Sequence, residues 1–319
     1  MNIDLREHLE LVHGMLEAVP TGRGLWLRRL TEEAAALFAI NEPRTIRCNC
    51  SAGVRICFRS YTRVVTLRLA LGRREGWGVF TTDVSIDDGP VLTFGAEAAG
   101  NDYDVRVEAP GPGEHRYEIH LPHLCESEVL SLEVDDGATV SPVSFPGTRV
   151  AFIGDSITQG MTSSSPARCY AARLAKALGR DFVNLAVGGG TMLAGMGQAA
   201  LAYEWGTAYV AFGVNDWAGL RPLEEFAEAT RGMLRGLASR AGAEIRIITP
   251  IPFVRPIETP HPTPLDAFRD CIRAVAREFP GVQVIDGLTL MPADPALFSD
   301  GLHPNDGGMR AMAESLAKR

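Results

Sequence analysis

From Val150 to the C-terminus, short apolar runs alternate with amphipathic segments, and this alternation limits the possible folds more than any other feature of the chain. The apolar runs occupy residues 150–153, 181–187, 208–214, 244–250 and 281–287. Segments with apolar residues near helical spacing follow them at 167–178, 222–240, 265–279 and 305–318. Repeated strand–helix order predicts a parallel sheet with helices on both faces and right-handed crossovers.

Polar residues cluster where the predicted strands end. The first strand leads into GDSITQG (154–160), the second into NLAVGGGT (184–191) and the third into FGVND (212–216), while DGLHP (300–304) precedes the last helix. In open α/β sheets, ligands bind beyond the carboxyl ends of the strands. Ser156 therefore lies where a reactive side chain belongs. A serine hydroxyl is nevertheless a poor nucleophile until a base takes its proton.

The segment before the last helix supplies a candidate base. Asp300 lies three residues before His303. A carboxylate in so compact a segment can accept a hydrogen bond from the Nδ1–H of the imidazole. That bond fixes the tautomer and leaves Nε2 free to take the Ser156 proton.

The four segments together resemble the sequence blocks of the SGNH, or GDSL-type, hydrolase superfamily. They occur in family order and at family-like spacing, across residues 147–319. The resemblance implies that Ser156 is the nucleophile, His303 the general base and then acid, and Asp300 its orienter. It also implies an acyl-enzyme mechanism without metal ion or organic cofactor.

The same resemblance implies an oxyanion hole with three donors. They are the backbone N–H of Ser156, the backbone N–H of Gly189 and the side-chain amide of Asn215. Gly188 and Gly190 adjoin Gly189, so the alignment leaves an error of one residue open. Donors aimed at the developing oxyanion usually make the largest contribution to catalysis of acyl transfer.

Four other residues near these blocks have less definite roles. Asp155 and Asp216 are predicted to bond backbone N–H groups at strand-to-helix turns. Trp217 either lines the acyl or sugar pocket as a substrate-binding residue or packs in the core. His261 lies in a proline-rich stretch (249–264) and is the competing histidine, but it lacks the Asp-x-x-His context.

The first half, residues 1–146, is predicted to be an all-β sandwich or jelly roll. In residues 64–71 apolar and polar side chains alternate, which indicates a half-buried antiparallel strand. Further strands are predicted at 78–86, 91–96, 103–109, 115–122 and 129–134, and turn-rich residues 135–148 are predicted to be the domain boundary. This order of domains resembles carbohydrate esterases that remove acetyl groups from polysaccharides. Whether the sandwich binds sugar or only buttresses the catalytic domain stays open.

Residues 1–40 permit more than one structure. Residues 5–19 fit either an amphipathic helix or strands, with strands favoured near 14–17 and 24–30, and residues 31–40 have helix-forming composition. Residues 46–71 are expected to be alternating strands, which would place Cys48 and Cys50 on one buried face. The C-x-C spacing does not match common zinc sites, so buried thiols are expected. The histidines of this half are expected to be structural or surface residues: His115, His120 and His123.

Composition narrows the class of protein. The chain is acidic, with a net charge of −8, and has no basic block, which argues against nucleic-acid binding. No apolar run approaches the length of a membrane span, and no signal peptide is visible at the N-terminus, so a cytoplasmic protein without membrane association is expected.

The glycine-containing segments fit neither of two common nucleotide-binding patterns. The glycines lack both the Gly-Lys-Ser/Thr of a phosphate-binding loop and the G-x-G-x-x-G spacing. No G-x-S-x-G elbow of an α/β-hydrolase is present either. The prediction is a serine ester hydrolase that releases a short acyl group, such as acetate, from a small-molecule or oligosaccharide ester. A lysophospholipase or thioesterase, and a non-catalytic carbohydrate-binding protein, are the alternatives. The oligomeric state stays open.

Overall fold

The computed structural model of the protein describes residues 1–76, 80–95, 100–255 and 261–319. Two antiparallel sheets form the first half of the chain, and a parallel sheet flanked by helices forms the second half. This is the predicted fold class, an all-β sandwich followed by a three-layer α/β domain, and the prediction is confirmed.

The sandwich is built from short antiparallel strands. In chain order these are β1 Val12–His13, β2 Glu17–Pro20, β3 Leu25–Arg28, β4 Arg55–Ser60, β5 Val64–Arg74, β6 Thr81–Ile86, β7 Leu92–Gly95, β8 Asp102–Glu108, β9 His115–His120, β10 Cys125–Val134 and β11 Val140–Pro142. One sheet has the order β1-β4-β9-β6-β7, with β11 also paired to β4, and the other has the order β2-β3-β10-β5-β8. Apolar side chains from both sheets share one core.

The strand predictions for this half are confirmed within the described residues. In β5, Val65, Leu67 and Leu69 are at most 1 % exposed, while Arg68 between them faces solvent. Strands occur in each of the five segments further along the chain, although residues 78, 79 and 96 of those predictions lie outside the described residues. The N-terminal stretch also forms strands, since β1 pairs with β4 and β2 pairs with β3.

The prediction of a strand at residues 46–50 is wrong. Helix α1 covers Glu32–Phe38, and helix α2 covers Glu42–Asn49. The side chain of Asn41 accepts a hydrogen bond from the Arg44 N–H and so caps α2, and a proline in the first turn favours helix. Cys48 lies on this helix and Cys50 follows its end, so they do not share a strand face. All six cysteines are free, and both of these are buried.

The second half contains the predicted parallel sheet. Its strands are β12 Val150–Gly154, β13 Phe182–Asn184, β14 Thr207–Ala211, β15 Glu244–Ile248 and β16 Val282–Ile285, in the spatial order β13-β12-β14-β15-β16. Its helices are α3 Ser156–Gln159, α4 Tyr170–Ala177, α5 Ala194–Ala199, α6 Val214–Ala218, α7 Leu223–Ala238, α8 Leu265–Ala276 and α9 Asp306–Leu316. The four predicted long helices are α4, α7, α8 and α9.

Successive residues of the central strand face opposite sides of the sheet. Ala151 and Ile153 of β12 join the core beneath α5, α7 and α8, whereas Val150 and Phe152 join the core beneath α4 and α9. Both faces of the sheet are therefore covered, as the near-continuous apolar sequence of a parallel strand requires. Among the described residues, no helix combines the length and the apolarity needed to cross a bilayer.

The two halves of the chain are in close contact. Phe38 of α1 is fully buried and belongs to the core of the parallel sheet. The buried Arg29 guanidinium donates to the carbonyl of Asn184 at 2.7 Å, and Arg55 and His13 both contact the carboxylate of Asp181. The boundary between residues 146 and 147 stays a prediction, but α1 and α2 pack with the α/β half although they precede it in the chain.

Candidate active site

The site begins at the tight turn between β12 and α3. Gly154 is the last residue of β12, and a β-carbon there would lie 2.3 Å from the Thr158 Oγ1, so the turn requires glycine. Asp155 then caps α3, since its Oδ1 accepts a hydrogen bond from the Ile157 N–H, which confirms its predicted role. Ser156 is the first residue of the helix and is 7 % exposed. Its N–H has no acceptor among the described residues, as is normal in a first helical turn.

The structure brings Ser156, His303 and Asp300 together in a line of hydrogen bonds. The Ser156 Oγ lies 2.9 Å from the His303 Nε2, and the His303 Nδ1 lies 2.9 Å from the Asp300 Oδ2. A carboxylate accepts, so Nδ1 carries the proton and donates to Asp300. Nε2 is therefore the acceptor that faces the Ser156 hydroxyl.

Asp300 is held in place by its own loop. Its Oδ1 accepts hydrogen bonds from the backbone N–H groups of Leu302 and His303, at 2.9 and 2.8 Å. Burial raises the pKa of this carboxyl, but the hydrogen bonds from His303 and Leu302 outweigh burial and lower the pKa to about 2. The carboxylate is therefore ionised at neutral pH.

The glycine loop after β13 lies beside α3. The Gly188 N–H donates to the Gln159 Oε1 at 2.7 Å, and the Gly190 N–H donates to the Val187 carbonyl at 2.8 Å. The Gly189 N–H has no acceptor within the parts of the chain that the structure describes. Gly189 also has a φ of +76°, which favours glycine. Of the three glycines that the alignment left open, Gly189 is thus the one whose backbone N–H can still donate a hydrogen bond.

Asn215 lies in the first turn of α6, at the end of the strand next to β12. Its Nδ2 donates to the Gly190 carbonyl at 2.9 Å. An amide nitrogen carries two hydrogens, so one remains for another acceptor. The adjacent Asp216 is 1 % exposed and accepts from the Met192 N–H and from Arg221. Burial raises the pKa of Asp216, against the hydrogen bonds from Arg221 and Met192.

Trp217 and His261 contact other parts of the chain rather than Ser156. The indole of Trp217 stacks on Phe253 with centroids 6.4 Å apart, and its Nε1 donates to the Thr263 carbonyl at 2.9 Å. Packing of Trp217 is therefore seen, and its contact with substrate stays a prediction. The Nε2 of His261 lies 3.0 Å from the Arg221 carbonyl, whereas the ring that meets Ser156 is that of His303.

Gln159 is a residue of the site that the sequence did not single out. It is completely buried at the end of α3. Its Oε1 accepts a hydrogen bond from the Gly188 N–H, and its Nε2 donates to the Arg47 carbonyl at 3.1 Å. Gln159 stands within the GDSITQG block, but its role is not evident from the sequence because its partners lie in other segments of the chain.

Two arginines of α2 are also part of the site and were missed. The Arg47 Nη1 donates to the Gly188 carbonyl at 3.0 Å. Arg44 lies one helical turn earlier and faces the same loop: a methyl group placed on Gly189 would be 3.4 Å from its Nε. Local sequence patterns cannot indicate these contacts, because about 140 residues separate the arginines from the glycines.

Comparisons with known proteins identify relatives of this chain. The model of the GDSL-like lipase/acylhydrolase family matches residues 152–311, just over half of the 319-residue chain. An acetylxylan esterase from Xylanibacter ruminicola is 30% identical over 204 residues, which are 53% of this chain and 42% of that protein. The matched segment thus spans less than half of the length of that relative.

Two solved structures share the fold. A salicylyl-acyltransferase from a tetracycline biosynthetic pathway has a TM-score of 0.85 and 19% identity, and the match covers 96% of this chain and 92% of that one. A family two carbohydrate esterase from Clostridium thermocellum, in complex with cellohexaose, has a TM-score of 0.66 and 16% identity, with 84% and 92% coverage. At these identities the likeness concerns the fold. From its site blocks, its sheet topology and the family match, the chain belongs to the GDSL-like lipase/acylhydrolase family, a family of carboxylic ester hydrolases.

Proposed function

We propose that the protein hydrolyses carboxylic esters through an acyl-enzyme on Ser156. The observation that carries the proposal is the chain of contacts from the Ser156 Oγ to the His303 Nε2 and from the His303 Nδ1 to Asp300, each 2.9 Å long. A serine whose hydroxyl faces the acceptor nitrogen of an oriented imidazole is arranged for nucleophilic attack.

In the first half-reaction, the Ser156 Oγ attacks the ester carbonyl while its proton moves to the His303 Nε2. Asp300 stabilises the imidazolium that forms. The tetrahedral intermediate then collapses, the carbon–oxygen bond to the alcohol breaks, and His303 returns the proton to the departing alkoxide. Ser156 is left as an ester of the acyl group.

In the second half-reaction, His303 takes a proton from water, and the resulting hydroxide attacks the acyl-enzyme. The Ser156 Oγ leaves with the proton from His303, which releases the acid and restores the enzyme. In both steps the carbonyl oxygen becomes negatively charged. The N–H groups of Ser156 and Gly189 and the amide of Asn215 are the donors that we assign to it.

We further propose that the acyl group is short, most simply acetyl, and that the alcohol is a carbohydrate. Support comes from the relatives: the partial match to an acetylxylan esterase, and the shared fold of an esterase solved with cellohexaose. The order of the domains supports the same choice, because a sandwich before the α/β half resembles the arrangement in carbohydrate esterases.

The test is hydrolysis of 4-nitrophenyl acetate, butyrate and octanoate by the wild type and by Ser156→Ala, followed by acetate release from acetylated xylo-oligosaccharides. We expect Ser156→Ala to lose about 10³-fold or more in kcat/KM, with acetate preferred over octanoate. Ser299→Ala, in the loop before Asp300, is the matched control. A preference for octanoate would favour a lysophospholipase or thioesterase, and an inert wild type would favour a carbohydrate-binding protein.

A further inference from the structure

Helix α2 places two guanidinium groups against the glycine of the proposed oxyanion hole. A methyl group built on Gly189 would lie 3.2 Å from the Arg47 Nη1, 3.4 Å from the Arg44 Nε and 3.9 Å from the Arg44 Nη2. Both arginines therefore lie on the side of Gly189 from which a side chain would project. They come from the first half of the chain, whereas the nucleophile and base come from the second half.

Arg47 is occupied by the protein itself. Its Nη1 donates to the Gly188 carbonyl, and its Nη2 lies 3.3 Å from the Glu75 carboxylate. Its own carbonyl accepts hydrogen bonds from Arg29 and Gln159. Arg47 thus holds the glycine loop to α2, and a structural role accounts for it.

Arg44 has no such role. Its guanidinium donates to no acceptor within residues 1–76, 80–95, 100–255 and 261–319, and it is only partly exposed. Asp216 attracts it from a distance, but the oxygens of that carboxylate are already bonded to Arg221 and the Met192 N–H. A charged group with five donors is therefore half-buried beside the site without a partner.

The position of Arg44 is unfavourable for the folded protein alone. It lies in the first turn of α2, where the helix dipole disfavours a cation, and Arg47 follows three residues later on the same face. Burial and the charge of Arg47 both lower the pKa of Arg44. Binding of an anion would therefore stabilise this partly desolvated cation.

We infer that Arg44 determines specificity by binding a carboxylate on the alcohol part of the ester. The inference rests on the proposed function: an acetyl group carries no charge, so an anion this close to the reacting carbonyl belongs to the alcohol. A planar guanidinium matches the two oxygens of a carboxylate. The substrate class is thus an O-acetyl ester of a carboxylate-bearing compound, such as an acidic sugar.

The test compares two acetyl esters that differ by one charge, 4-acetoxybenzoate and methyl 4-acetoxybenzoate. Their intrinsic reactivities differ, so the measured quantity is the ratio of the two kcat/KM values in each variant. We expect Arg44→Gln to lower the ratio of anionic to neutral ester about tenfold, at the low end for a charged hydrogen bond. Arg44→Lys, which keeps the charge, should restore most of the ratio.

Arg106→Gln is the matched control, because Arg106 is exposed on β8 and pairs with Glu108. It should keep the wild-type ratio. The wild-type ratio should also fall with added salt, since a partly exposed ion pair is screened.

Other outcomes overturn the inference. If Arg44→Gln lowers both esters equally, Arg44 serves the oxyanion or the fold rather than an anionic substrate. If the wild type hydrolyses 4-nitrophenyl acetate but not 4-acetoxybenzoate, the inference fails while the proposed function stands. If the wild type hydrolyses no ester at all, the proposed function fails, and the inference fails with it.

Discussion

Gln159 and Gly188 are joined by a 2.7 Å hydrogen bond from the glycine N–H to the glutamine Oε1. This bond connects the helix that begins at Ser156 with the loop that contains Gly189. Because Gln159 is completely buried, its side chain fixes the spacing of two of the proposed oxyanion donors. The relative position of those donors therefore depends on a residue that does not touch the reacting atoms.

Gln159→Ala should lower kcat more than it raises KM. Without the amide, the glycine loop can shift from α3, and misplacement by about 1 Å can cost up to about 100-fold in rate. The orphaned Gly188 N–H should also cost about 1–3 kcal/mol of stability. Steady-state kinetics and thermal unfolding measure the two effects. Gln283→Ala, at an exposed position of β16, is the control, and a Gln159→Ala enzyme with wild-type kcat would contradict the positioning role.

Asn215→Ala should reduce kcat by about 10²–10³-fold, as expected for loss of one oxyanion donor. Asn215→Asp should be at least as damaging, because it replaces a donor by a negatively charged acceptor of the same shape. Kinetics with 4-nitrophenyl acetate measure both variants. An effect confined to KM would argue instead for a binding role of this side chain.

Asp300→Asn should lower kcat by up to about 10⁴-fold, because an amide can no longer hold the His303 tautomer. The variant should also be less stable than the wild type near pH 6. The pKa of Asp300 is lowered to about 2, so its carboxylate stabilises the fold above the unfolded pKa of about 4. That stability is lost as the pH falls from about 4 to about 2, where the two unfolding curves should converge. Curves that stay apart at pH 2 would contradict this linkage.

Asp155→Asn should stabilise the protein at alkaline pH and not at acidic pH. Burial raises the pKa of Asp155 to about 7, against the hydrogen bond from the Ile157 N–H. Because the folded pKa is above the unfolded one, wild-type stability falls as the pH rises from about 4 to about 7. Asparagine keeps the cap and cannot ionise, so it should gain up to about 4 kcal/mol at pH 8, about 1.4 kcal/mol for each of roughly three pKa units. Urea unfolding at pH 5 and pH 8 checks this, and an equal effect at both values would refute it.

Much of the site was predictable because its chemistry lies in short local segments. GDSITQG and DGLHP each carry their candidate site residues within a few positions of one another. The family resemblance implies a contact between Ser156 and His303, and the structure contains that contact. The choice among the three consecutive glycines depends on which backbone N–H groups are already bonded, and this cannot be read from the sequence.

The less predictable parts depend on contacts between distant segments. Residues 46–50 alternate like a strand, but the cap at Asn41 and the burial of Ile46 and Cys48 on one face favour a helix. That helix brings Arg44 and Arg47 to the glycine loop, so the wrong secondary structure hid both residues. Local spacing cannot show what a helix of one half contacts in the other.

The hydrogen bond between His123 and Gly160 bears on how the protein can be engineered. The His123 Nε2 donates to the Gly160 carbonyl at 3.0 Å, at the C-terminal end of α3, and His123 is almost fully buried. Together with α1 and α2, His123 packs the first half of the chain against the candidate active site. A chimaera that joined a foreign sandwich ahead of residue 147 would lose this packing. A transplanted α/β half would therefore need α1, α2 and His123 with it.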